Sequence, residues 1–122
     1  MAEPELLDML AAEAQRRSPA LITGVKDLAG SDKKQPDRVE SLRVEAHGLK
    51  GAALVVEQDR LANLAKRMET FLVGAVESGR IAPADAAKIV AAASAFSEGA
   101  QAAAEGIAEP PSVRESLEAL PG

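Results

Sequence analysis

His47 is the only histidine in the chain, and cysteine is absent. Without thiols there is no thiolate nucleophile, no disulfide framework and no cysteine-bound zinc or iron-sulfur centre. The imidazole is therefore the group around which chemistry would be built. Arg43 stands four residues before it and Lys50 three after, spacings that put both cations on its side of a helix. An acidic chain thus gathers a local positive patch around its one imidazole, partly neutralised by Glu40 one turn beyond Arg43. Gly48 and Gly51 lie in the same turn, where alanine would hold a helix better by roughly 0.5 to 1 kcal/mol each. Access is a physical reason for that cost: missing side chains let a bulky partner or a phosphoryl group approach the ring and the helix backbone.

The element that must carry these residues is a helix. From Val39 to Val56 the apolar positions 39, 42, 46, 49, 53 and 56 alternate steps of three and four, one continuous buried stripe facing a bundle core. His47 falls roughly 120° from the middle of that stripe and should reach solvent. Before it, a helix runs from about Pro4 to Arg17 with Leu6, Leu7, Leu10 and Ala14 on one face. Ser18 and Pro19 then suit the N-cap and first position of a new helix carrying Leu21, Ile22, Val25 and Leu28 up to Gly30; a single kinked helix fits equally. Ser31 to Pro36 is the clearest loop. After the histidine helix, a stripe from Leu61 to Val76 predicts a helix over about 58–77, ended by Gly79, and Pro83 opens a last long helix that closes near Gly106. The tail carries a capping-box pattern at Ser112 and Glu115, with Val113, Leu117 and Leu120 placed to turn inward. A short helix or a frayed end both fit it.

Short links favour antiparallel neighbours, so the expected fold is all-α: an up-and-down antiparallel four-helix bundle with an N-terminal helical extension. The expected division is a bundle domain over 1–108 and a tail over 109–122. The 122 residues suffice for one core, and alanine, the strongest helix former, dominates the 47% of hydrophobic residues. The net charge of -5 and the lack of Tyr and Trp argue against nucleic-acid binding, which needs a basic face or a stacking platform. The acidic N-terminus has no signal-peptide pattern, and the most apolar segment, Ile89 to Phe96, is too short to span a bilayer. A cytoplasmic location and a monomer are expected, with no nucleic acid and no membrane as partners.

The segment AHGLKGAALVV, Ala46 to Val56, followed by Leu61, Leu64, Met68 and Glu69, resembles the signature of histidine-containing phosphotransfer (HPt) domains of bacterial multistep phosphorelays. The resemblance extends in helix order and spacing over about residues 4 to 106. It implies that His47 is a phosphoacceptor, taking a phosphoryl group from the aspartyl phosphate of one receiver domain and passing it to the aspartate of another. Lys50 would then balance phosphate charge, and Gly51 would allow close approach. Arg43, Val44, Gly48, Leu54 and Val55 would meet the partner, a receiver of a response regulator or hybrid histidine kinase. No cofactor of its own is implied, since the receiver is expected to bring Mg²⁺, and the protein would carry phosphate without hydrolysing ATP. Two positions depart from the family pattern. Glu57 stands where a glycine is usual, which implies either a straighter junction to the next helix or an early-turn acidic residue for it. Gly48 replaces a small polar residue, leaving the ring without that neighbour's hydrogen bond but freer of steric hindrance.

Three other function classes compete with this one. A carboxylate-bridged metal protein needs paired Glu-x-x-His spacings, but position 44 is Val and one histidine cannot supply a pair. A helical adaptor or inhibitory binding module, in which an exposed histidine is incidental and the tail makes the contact, fits the same helices without phosphotransfer. A histidine kinase needs a nucleotide-binding domain and a glycine-rich phosphate loop, for which the chain is too short.

Overall fold

The computed structural model describes residues 4–122. Five helices follow in order: α1 (Pro4–Leu28), α2 (Pro36–Val55), α3 (Asp59–Val76), α4 (Pro83–Glu105) and α5 (Pro111–Ala119). The first four close a ring in which α1 packs on α2, α2 on α3, α3 on α4 and α4 back on α1. Alternating direction is visible at one end, where the α1–α2 and α3–α4 connections lie together. Ala29 pairs with Ile81, and the Gln35 amide donates to the Gly79 carbonyl at 2.9 Å. Gly79 has φ +67, and a Cβ there would sit 2.5 Å from the Gln35 nitrogen, so only glycine lets the two loops touch. The all-α four-helix bundle read from periodicity is the fold observed.

Each helix buries the stripe its spacing draws. On α2 this is Val39, Leu42, Ala46, Leu49 and Ala53. They meet Leu61, Leu64, Met68 and Leu72 of α3, Leu10, Leu21 and Val25 of α1, and Ile89 and Phe96 of α4 in one cluster. A fully buried side chain of this size contributes roughly 1.5 to 3 kcal/mol. The stripe therefore fixes the rotation of α2, and with it which residues face outward.

Three local expectations are settled or corrected. Of the two readings of Ser18 and Pro19 the single helix is the one found, because α1 runs unbroken through both. Pro19 removes one backbone hydrogen bond, yet Ala14, Ser18, Leu21 and Val25 are buried as one continuous face, and that packing holds the helix together. The N-terminal extension is thus the first half of a bundle helix. Glu57 neither straightens the junction nor enters α3: it adopts φ +59, the conformation a glycine would take. Its amide donates to the Leu54 carbonyl at 3.1 Å and that of Gln58 to Ala53 at 2.9 Å, the paired bonds of a Schellman C-cap. Finally, Ser112 caps nothing. α5 begins at Pro111 behind Pro110, and the Ser112 hydroxyl instead bonds Glu98 Oε2 on α4 at 3.2 Å. The tail is ordered as a helix, with Val113, Leu117 and Leu120 buried against α3 and α4. Arg67 of α3 reaches over to donate to the carbonyls of Leu117 and Leu120.

Candidate functional site

His47 stands near the middle of α2 on the face opposite its buried stripe, with its side chain 61% exposed. The residue that organises its surroundings lies on the neighbouring helix. Glu69 of α3, 12% exposed, accepts from His47 Nδ1 at 2.9 Å and Arg43 Nη1 at 3.2 Å through Oε2, and from Lys50 Nζ at 2.7 Å through Oε1. An ionised carboxylate only accepts hydrogen bonds, so Nδ1 carries a proton, and in the neutral ring this leaves the lone pair on Nε2. Burial pushes the Glu69 carboxyl up, but the hydrogen bonds from Lys50 and His47, with their charges, outweigh it and hold the group below its ordinary 4.5.

This arrangement corrects the expected positive patch. Arg43 is forked onto Glu40 at 2.6 to 2.9 Å as well as reaching Glu69, and Lys50 is anchored on Glu69. The cations around the ring are therefore balanced by carboxylates and positioned rather than free. Glu69 belongs to the matched signature, but the spacing of α2 alone could not assign it a role, because its contact crosses helices. The available signal was a charge at the edge of an apolar stripe, next to Met68 and three before Leu72.

The two glycines beside the ring differ. At Gly51 a Cβ would meet nothing within 4 Å, so the position is open to solvent. At Gly48 it would lie 2.4 Å from Cζ and 2.6 Å from Nε and Nη1 of Arg17, so the expected freedom from hindrance is not found. The Arg17 guanidinium fills that space, with Nε on Glu13 Oε2 at 3.0 Å and Nη1 on Glu45 Oε1 at 2.7 Å. Arg17 was not singled out from the sequence, although it interrupts the apolar stripe of α1 between Ala14 and Leu21.

Val44, Leu54 and Val55 are all exposed, as expected, and Val55 is 74% so. Met9 of α1 and Val73 of α3 are exposed as well. Between α1 and α2 runs a groove of about 370 Å³ lined by Leu6, Met9, Ala52 and Val55, with His47 and Arg17 at its edge. Apolar surface thus borders the ring on the α1 side. Among the described residues no three His, Asp or Glu side chains converge as metal ligands would. No helix among them is long and apolar enough to cross a membrane.

Comparison with curated proteins and with solved structures gave no match. The Hpt domain family model matches residues 5–120, through α5 and nearly to the end of the chain. With an exposed histidine midway along a helix of a helical bundle and a family match of that length, the chain belongs to the Hpt domain family.

Proposed function

We propose that His47 is the phosphoacceptor of a cytoplasmic phosphorelay, moving a phosphoryl group between the aspartates of receiver domains. Hpt domains serve histidine phosphotransfer and have no kinase activity of their own. The observation that carries the reading is an exposed His47 ring whose Nδ1 is bonded to Glu69, which in the neutral ring leaves Nε2 as the nucleophilic nitrogen. In the transfer, Nε2 forms a bond to phosphorus as the aspartyl oxygen–phosphorus bond breaks, and the receiver's carboxylate leaves. Nδ1 keeps its proton, so the phosphorylated ring is a cation, and the adjacent Glu69 carboxylate offsets that charge. The transition state is loose and charge-rich, so alignment and electrostatic support are what catalysis requires.

Lys50 and Arg43, a turn to either side, would turn toward the incoming phosphoryl oxygens. The open face at Gly51 lets a receiver's active-site edge come near, and Val44, Leu54 and Val55 supply apolar contact around it. A receiver would bring its own Mg²⁺. Both the receiver partner and its Mg²⁺ are what membership of the Hpt family implies.

Incubation with a panel of phosphorylated receivers tests the reading. Wild-type protein should take an acid-labile, base-stable label, and His47→Gln should take none while keeping its helical circular dichroism. Label retained in His47→Gln, or no label from any receiver in wild type, would refute phosphotransfer and favour a helical adaptor.

A further inference from the structure

We propose that Arg17 is a phosphate-binding residue of this site, seated by the absence of a side chain at Gly48 and donating to the phosphoryl group once His47 carries it. The inference rests on His47 as phosphoacceptor and adds a cation from a different helix. A Cβ built on Gly48 would lie nearly equidistant from Nε and Nη1 and closest to Cζ, which places the flat face of the guanidinium against the backbone of the residue next to His47. Arg17 and His47 line the same groove. The side chain is mostly covered, and Glu13 and Glu45 fix Nε and Nη1 from opposite helices. Nη2 has no hydrogen-bond partner among the described residues.

A planar guanidinium offers donors in a fixed fork matched to phosphate oxygens. Arg43 and Lys50 are both held on Glu69, on the α3 side of the ring. Arg17 lies on the α1 side. A phosphoryl group on Nε2 would then meet cationic donors from both flanks, each already seated on carboxylates. Alanine at position 48 would stabilise a helix but evict the guanidinium, which gives this glycine a reason that solvent access alone does not.

Phosphoramidate, a small phosphodonor, tests this without a receiver. Nε2 displaces ammonia from phosphorus: the N–P bond of the donor breaks, the Nε2–P bond forms, Nδ1 keeps its proton, and the released ammonia takes up the proton lost from the donor. Labelling rate, lifetime of the phosphohistidine and its ³¹P chemical shift are followed together. Arg17→Met should slow labelling and shorten the lifetime about three- to tenfold, the size of a partly exposed charge-assisted contact. The ³¹P resonance should move, and Arg17→Lys should recover part of the loss. Gly48→Ala should reproduce the defect with the fold intact, because the clash falls on the end of a flexible side chain; this variant decides the matter if Arg17→Met unfolds.

Wild-type rate, lifetime and ³¹P shift in Arg17→Met would overturn the role of Arg17 while leaving His47 as acceptor. Normal labelling in Gly48→Ala would overturn the seating role of the glycine. Failure of wild-type protein to label at His47 would instead remove the acceptor itself, and this proposal with it.

Discussion

Replacing Glu69 by alanine removes the acceptor that three side chains share, and each consequence has its own measurement. His47 loses the bond that fixes its tautomer, so Nε2 carries the lone pair only part of the time. A hydrogen bond to a charged group is worth about 1.5 to 3 kcal/mol, so phosphorylation should slow tenfold or more, read as the labelling rate. Lys50→Ala should also slow transfer with the bundle still folded; an unchanged rate would leave Lys50 a structural partner of Glu69. The lowered Glu69 pKa fixes the sign of a pH effect. Its contribution to stability is fully present above the ordinary 4.5 and is lost as pH falls through the lower folded value. Urea midpoints measured through that acidic range should therefore fall less steeply in Glu69→Gln than in wild type. His47, Lys50 and the exposed apolar residues were legible in the sequence because they share one helix, where spacing fixes direction. The contacts of Glu69 and Arg17 were not, because which residue faces another across two helices depends on packing that no single periodicity encodes.

At the scale of elements, the junctions are where sequence and structure part. Glu57 holds a left-handed conformation that costs an L-residue roughly 1 to 2 kcal/mol, so Glu57→Gly should stabilise the protein by about 1 kcal/mol, seen as a raised urea midpoint. Ser18 looked like a helix start because Ser-Pro so often is one. The continuous buried face of α1 overrides that local preference, and the price is a buried Ser18 hydroxyl with no partner. Ser18→Ala should accordingly stabilise the fold by about 1 kcal/mol in the same assay. The tail was ambiguous for a related reason: nine residues make no stable helix alone, and its order comes from Val113, Leu117 and Leu120 meeting α3 and α4. Removing residues 109–122 strands that apolar surface, three side chains worth about 1.5 to 3 kcal/mol each before the chain entropy regained is subtracted, and should lower the urea midpoint, whereas a frayed tail would leave it unchanged.

For the whole molecule, the ring of four helices does one thing for function: it locks α2 in rotation so that its buried stripe and its histidine face cannot exchange. Leu49 lies two residues from His47 and is fully buried, so the same turn that anchors the helix presents the ring. That relation was readable from a six-position stripe, since burial of one face dictates exposure of the other. The acceptor's chemistry reduces to a single claim, that Nε2 of His47 is the atom that takes the phosphoryl group. Phosphorylated protein, labelled with ¹⁵N in histidine and examined by ¹H–¹⁵N and ³¹P correlation spectra, tests it most directly. Phosphorus coupled to Nε2 of His47, with Nδ1 still protonated, is the predicted result; phosphorus on Nδ1, or on any other residue, would contradict it.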